Sequence, residues 1–221
     1  MRIAVGLTLA LILALPASAQ AAPTIGVTLA KPSVRYGQTH KIDGTLMDGT
    51  VPLGAQEVVL EGRRYPYEGS YRVIARTTTD AEGNFSFKAE LDRNHRLRVT
   101  APAQNLTSKL VQAYTLPAFE LSFRALRPGV VRLYQRYTVP KTVKLTSPTY
   151  FYLGPRKAKK STMRKTAKTE RTKAGHYTAQ IDVTLPDSWH GAFRYASCFR
   201  PSPGAGMGDP AATCPKLRLE F

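Results

Sequence analysis

The sequence predicts an all-β chain: two tandem antiparallel β-sandwiches behind a cleaved signal peptide. Three observations predict it. Apolar and polar residues alternate along many short runs, the period-two signature of strands with one buried face. Turn residues recur about every 8 to 12 residues, and no long helical periodicity intervenes. Two glycine-bearing motifs, around Gly62 and Gly83, return around Gly154 and Gly175, each 92 residues further on.

The elements follow in order. Met1-Arg2 gives a short positive start, and Ile3 to Leu15 is an apolar run of 13 residues ended by Pro16. Ala17-Ser18-Ala19 and Ala19-Gln20-Ala21 both fit a small-residue cleavage site. A spanning helix needs about 20 apolar residues, so residues 1–22 read as a signal peptide and not as an anchor. No later run is long and apolar enough to span. The mature chain is therefore expected outside the cytoplasm, secreted or in the cell envelope.

Val34, Tyr36 and Ile42 sit among polar residues, and Glu57 to Glu61 encloses a short apolar run. Phe85 and Phe87 alternate with Asn84, Ser86 and Lys88; Leu97 and Val99 alternate with Arg96 and Arg98. Phe119, Leu121 and Phe123 alternate with Glu120, Ser122 and Arg124. Ile181, Val183 and Leu185 do the same with Asp182 and Thr184, and Leu217, Leu219 and Phe221 close the chain. Asp80-Ala81-Glu82-Gly83-Asn84 reads as a hairpin turn with Gly83 at positive φ. Asp80, Glu82 and Asn84 could be taken for calcium ligands, but a calcium loop needs more oxygens and a distal Glu. Asn84-Phe85-Ser86 and Asn105-Leu106-Thr107 fit the glycosylation pattern, which is common by chance. The 92-residue offset divides the mature chain into 23–104 and 105–221, with a join near Pro102 to Ser108. Each half has a usual size for a β-sandwich.

The first half resembles a known group. Ile42-Asp43-Gly44-Thr45-Leu46 is followed by Pro52-Leu53-Gly54-Ala55, then Thr78-Thr79-Asp80-Ala81-Glu82-Gly83-Asn84-Phe85-Ser86-Phe87 and Leu97-Arg98-Val99. This order resembles bacterial Ig-like domains and the carboxypeptidase regulatory-like (prealbumin-like) domains, clearest over 42–100 and fainter over 130–199. The resemblance implies Ig-like β-sandwiches in a secreted or surface protein. It implies no activity and transfers no catalytic residue. The second half departs from the pattern, because no Asp precedes Gly175 and a cysteine pair is added.

Cys198 and Cys214 are the only two cysteines. In an oxidising compartment they are expected to form a disulfide across a Pro/Gly-rich loop with little to bury. Such a loop closure is worth about 3 kcal/mol in the chain-entropy model. Free thiols and half of a metal site are the rival readings, though a metal site usually wants closer pairs.

The formal net charge is +17, and it is unevenly spread. Residues 23–104 carry 11 basic against 9 acidic residues, and residues 105–221 carry 20 against 6. The bias peaks at Arg156, Lys157, Lys159, Lys160, Arg164, Lys165, Lys168, Arg171 and Lys173, opposed only by Glu170. A helix here would have almost no apolar face. A strand would have no core face. The segment is expected to be a long exposed β-hairpin arm or loop between the strands Tyr150–Leu153 and Tyr177–Leu185. Its charge suits an anionic cell-envelope polymer or membrane surface. A solvated loop that only aids solubility is the competing reading. Aromatics beside basics, such as Tyr134 with Arg132 and Arg136, or Tyr150 and Tyr152 ahead of Arg156, could stack bases. In a sandwich such residues are more often core, and nucleic acid is disfavoured. Trp189 reads as a packing residue before it reads as a sugar platform.

No nucleophile elbow or H-E-x-x-H is present. His40, His95, His176 and His190 are scattered, with no ligand spacing, so no metal or cofactor is expected. Asp187-Ser188-Trp189-His190 contains triad residue types, but neighbours on one loop rarely form a triad. The chain therefore reads as a non-enzymatic extracellular or envelope binding module. The alternative is a structural or adhesive spacer that grips another protein.

Overall fold

The alternating runs at Phe85, Leu97, Phe119 and Ile181 all form strands in the computed structural model, which describes residues 22–157, 160–190, 192–201, 203–208 and 219–220. The expected signal peptide, apart from Ala22, lies outside the described residues, as do Lys159, Cys214, Leu217 and Phe221.

The first half supplies β1 (Pro23–Leu29), β2 (Ser33–Arg35), β3 (Thr39–Asp48), β4 (Val51–Pro52), β5 (Glu57–Arg64), β6 (Arg72–Thr78), β7 (Asn84–Glu90), β8 (His95–Ala101), β9 (Leu106–Thr107) and β10 (Val111–Leu116). The second supplies β11 (Ala118–Arg127), β12 (Val130–Thr138), β13 (Thr149–Pro155), β14 (Met163–Ala167), β15 (Thr169–Lys173), β16 (His176–Thr184), β17 (Phe193–Phe199) and β18 (Leu219–Glu220). Burial follows the pleat. On β7, Phe85, Phe87 and Ala89 are buried, and the residues between them are exposed. On β8, His95, Leu97, Val99 and Ala101 face inward.

The pairing repeats. In the first half β3 pairs with β1 and β7, and β5 pairs with β6 and β8, which in turn pairs with β10. In the second half β12 pairs with β11 and β16, and β13 pairs with β14 and β17, which in turn pairs with β18. All these pairs are antiparallel. β10 also pairs in parallel with β2. The repeated glycines sit at equivalent corners. Gly83 (φ +75°) precedes β7, and its carbonyl accepts from Leu46 N–H at 2.8 Å. Gly175 (φ +78°) precedes β16, and its carbonyl accepts from Val139 N–H at 2.9 Å. A Cβ at either position would fall 2.5 Å from Leu46 O or 2.6 Å from Val139 O. The weak 92-residue sequence repeat is thus a repeat of backbone geometry. Asp80 accounts for the rest of the first corner, since its Oδ1 accepts from Glu82 N–H and Asn84 N–H. That carboxylate serves the turn.

Each half has its own core. Ile42, Leu46, Leu60, Phe85, Leu97 and Val99 fill the first. Leu133, Phe151, Leu153, Tyr177, Phe193 and Tyr195 fill the second, where Trp189 also packs. The expected division at 104/105 does not coincide with the change of sheet. β9 and β10 still bond to β8, and the chain passes to the second sandwich at Pro117. The halves also touch beyond that crossing. Asn94 N–H donates to Gly206 O at 2.8 Å, its Nδ2 donates to Gly208 O at 2.9 Å, and Gly208 N–H donates to Thr115 O at 2.9 Å.

Two of the four histidines meet in the first sandwich. His40 is wholly buried, and burial, helped by the nearby His95, lowers its pKa to about 4. His95 is lowered too, chiefly by burial, and its Nδ1 lies 2.8 Å from Arg93 O.

Two predictions follow from these contacts. Gly83→Ala and Gly175→Ala each place a side chain at positive φ against a carbonyl, and each is expected to cost about 1–3 kcal/mol. Urea midpoints will read this, and an unchanged midpoint for both variants would contradict the shared corner geometry. For His40 the folded pKa lies below the ordinary 6.5. Between those values the unfolded chain binds more protons, so stability falls as pH drops from 6.5 towards 4. The loss from His40 approaches about 3 kcal/mol. His40→Leu should flatten that part of the pH–stability curve, and a curve of unchanged slope would sink the assignment.

Candidate functional site

The basic segment does not form a projecting arm. It leaves β13 at Arg156 and Lys157, turns back, and forms β14 on the edge of one sheet. After Lys168 it crosses to the other sheet and forms β15 on the edge there, against β16. The reason lies in small residues hidden in the charge run. Ala167 and Thr169 are both buried on either side of exposed Lys168. Met163 is half-buried at the start of β14. These anchors need only one face each, so a nearly all-polar sequence can still serve as an edge strand.

The crossover is held by a buried hydroxyl chain. Tyr137 Oη lies 2.7 Å from Thr149 Oγ1, and Thr149 Oγ1 lies 3.0 Å from Thr169 Oγ1. Burial pushes the Tyr137 hydroxyl pKa up, so it stays protonated. Tyr177 Oη donates to Val143 O at 3.0 Å nearby.

Every described member of the predicted site is exposed: Arg156, Lys157, Lys160, Arg164, Lys165, Lys168, Arg171 and Lys173. The nearest approach to an acid is loose, with Lys168 Nζ 3.9 Å from Glu170 Oε1. Arg164 lies over the Tyr150 ring at 5.4 Å, on the outer face where Tyr150 and Tyr152 are half-buried. Arg171 Nε donates to Lys173 O at 3.4 Å. The structure thus brings the cations together along the rim between the two sheets. Phe151 and Tyr195 lie in the core.

The other candidate groupings resolve differently. Asp187–Trp189 is a single 3-10 turn closed by His190 N–H donating to Asp187 O at 2.9 Å. His176 lies on β16, apart from His40 and His95. Among the described residues, no group of three or more His, Cys, Asp or Glu could hold a metal ion, and no helix is long and apolar enough to cross a membrane. Cys198 is buried on β17, and Cys214 lies outside the described residues. Arg132 makes a two-point ion pair with Asp182, Nε–Oδ1 at 2.5 Å and Nη2–Oδ2 at 2.8 Å, which holds both groups charged. One basic grouping escaped the sequence reading: Arg63, Arg96 and Arg98 converge with Tyr67 and Tyr71 on the first sandwich. Its traces were the Arg-x-Arg alternation of β8 and the tyrosines spaced through residues 65–71.

What these sites sit on is an all-β sandwich protein. No protein-family model matches the chain, and no curated protein matches it. Solved structures similar to it include native alpha-2-macroglobulin of E. coli, at 14% identity over 83% of this chain and 14% of that one, with a TM-score of 0.34. A DUF4785 family protein of Legionella pneumophila is 13% identical over 79% of this chain and 52% of that one, with a TM-score of 0.47. Trypsin-activated alpha-2-macroglobulin from Escherichia coli is 13% identical over 81% of this chain and 15% of that one, with a TM-score of 0.30. The chain spans about half or less of the length of each. Likeness at this level carries nothing about function.

Thr169→Val is expected to cost about 1–2 kcal/mol, because it leaves Thr149 short of a buried partner. The loss should appear as a lower urea midpoint. A variant as stable as the parent would show that the hydroxyl chain does not anchor the crossover.

Proposed function

We propose that the chain is a non-enzymatic binding module of the extracellular space or cell envelope, exported by the signal peptide at 1–22 and built of two Ig-like units. Its second unit contacts an anionic polymer or anionic membrane surface through the basic rim from Arg156 to Lys173. The observation that supports this is the exposure of every described cation there with only one loose acidic neighbour. Lysines and arginines held along two strand edges offer a line of charge that needs no folding on contact. Contact of this kind speeds association and reads charge density more than detail. We also propose that Cys198 pairs with Cys214, tying down the loop between them.

A second reading is a structural or adhesive module that binds another protein. β14 and β15 are both terminal strands of their sheets among the described residues, and a terminal strand can accept a partner strand.

Salt separates the two. Mature protein, residues 23–221, is titrated against anionic polymers and anionic vesicles at two ionic strengths, beside a variant with Lys159, Lys160, Arg164 and Lys165 changed to Gln. The rim reading expects binding that weakens steeply with salt and is at least about tenfold weaker in the variant. Affinity that survives both changes would exclude the rim and favour protein contact through strand edges.

A further inference from the structure

The outer face of β5 and β8 carries an arrangement that packing alone does not call for. Arg63 on β5 and Arg96 on β8 stand directly opposite each other, like charges in one cross-strand pair. Such a pair is destabilising in itself. One step along, Glu61 faces Arg98, and these two are joined, Arg98 Nε to Glu61 Oε2 at 2.7 Å. Among the described residues, Arg63 and Arg96 form no ion pair.

Instead, both are stacked. The loop between β5 and β6 lays its tyrosines back across the sheet. Arg63 lies over the Tyr71 ring at 4.3 Å, and Arg98 over the same ring at 4.1 Å. Arg96 lies over Tyr67 at 4.4 Å. Tyr67 is held in turn: Gln112 Nε2 donates to its hydroxyl at 2.9 Å, and Tyr65 packs edge-on against it at 5.5 Å. Tyr67 sits at φ +71°, a left-handed conformation unusual for a tyrosine. Among the described residues, the Nε of Arg63 is buried with no hydrogen-bond partner. Three guanidinium planes are therefore set in advance on one open face, and two of them have no counter-charge among the described residues.

We propose that this face binds a carboxylate-bearing acidic polysaccharide. A guanidinium fork matches a carboxylate in two-point geometry, and a stacked arginine loses little freedom on binding. Three arginines set side by side on the outer face of the antiparallel β5–β8 pair suit an extended polymer more than a small enclosed ligand. The tyrosines already hold guanidiniums over their rings, so they are poor platforms for stacking bases. That argues against single-stranded nucleic acid as the occupant. The site is separate from the basic rim and stands or falls without it.

The test uses the mature chain carrying the four rim substitutions to Gln, so that rim binding cannot mask the result. The probes are polygalacturonate, neutral dextran and a single-stranded thymidine oligonucleotide, titrated at low salt. The face predicts saturable binding of polygalacturonate and none of dextran. Arg63→Gln with Arg96→Gln should weaken that binding at least about tenfold. Tyr71→Leu keeps every charge but frees Arg63 and Arg98, and should weaken it about fivefold. Thermal melts of each variant confirm folding. No binding of polygalacturonate, unchanged affinity in the double variant, or tighter binding of the oligonucleotide would each overturn the proposal. Full affinity in Tyr71→Leu would reduce the face to diffuse charge and overturn the stacked geometry.

Discussion

Asn94 is the point on which the arrangement of the two sandwiches turns. All four of its polar groups are used. Its N–H and Nδ2 reach Gly206 O and Gly208 O, its carbonyl accepts from Tyr65 N–H, and its Oδ1 accepts from Thr115 N–H. One buried residue, through its backbone and its side chain, thus joins the loop that follows β5, the strand β10 and a segment of the second half that is more than a hundred residues away in sequence. No aliphatic residue could take its place without leaving two buried backbone groups, Gly208 O and Thr115 N–H, without these partners. Around it the fit is close. Thr115 Oγ1 reaches the carbonyls of Leu91 and Arg93, and a Cβ at Gly206 would lie 2.4 Å from the Tyr65 ring. Met207 and Ala205, on the same segment, are buried against the second core. The segment 203–208 therefore belongs to both halves at once.

This joint bears on both surfaces. The loop that begins at Tyr65 carries Tyr67 and Tyr71 over the arginine face, and its first residue is fixed by Asn94 and Gly206. On the other side, 203–208 follows β17, which is the neighbour of β13, and β13 carries β14. One basic surface lies across β5 and β8 in the first sandwich, and the other runs along β14 and β15 in the second. They differ in chemistry. One is arginine held by tyrosine, with guanidinium planes fixed before any ligand arrives. The other is mostly lysine on free stems, which adapts to its partner but pays more entropy on contact.

The fold was legible in the sequence because its strands are half-buried. Phe85, Phe87, Leu97 and Val99 alternate without a break, and such a pattern has one structural meaning. The glycine corners were legible for a similar reason, since only a positive φ explains Gly83 after Asp80. The change of sheet at Pro117 was not. β9 and β10 are short, and their assignment depends on partners some five to eighty residues away. The two edge strands of the basic segment were not legible either, because its fully buried residues are an alanine and a threonine. Neither is apolar enough to signal burial, and the burial of Thr169 depends on hydroxyl partners, Thr149 and Tyr137, that periodicity cannot reveal. The arginine face was invisible for another reason. Arg63 and Arg96 are 33 positions apart, and only the β5–β8 register places them opposite each other.

The position of the basic rim also limits what its partner can be. Two terminal strands side by side are a hazard, because their open backbone groups can pair with another copy of the same chain. Lysines and arginines along both strands oppose this, since a second copy would bring like charge onto like charge. That protection is indiscriminate against any cationic or neutral strand that must displace water from so many cations. It fails only for an anionic partner, which the same charges attract. Edge protection and the proposed anion contact therefore draw on the same charges. A rim that was merely a guard would serve as well with acidic residues or a proline, and in a chain of net charge +17 more cations add repulsion within the fold itself. Positive charge on strands already at the end of their sheets is the feature on which the proposed anion contact rests.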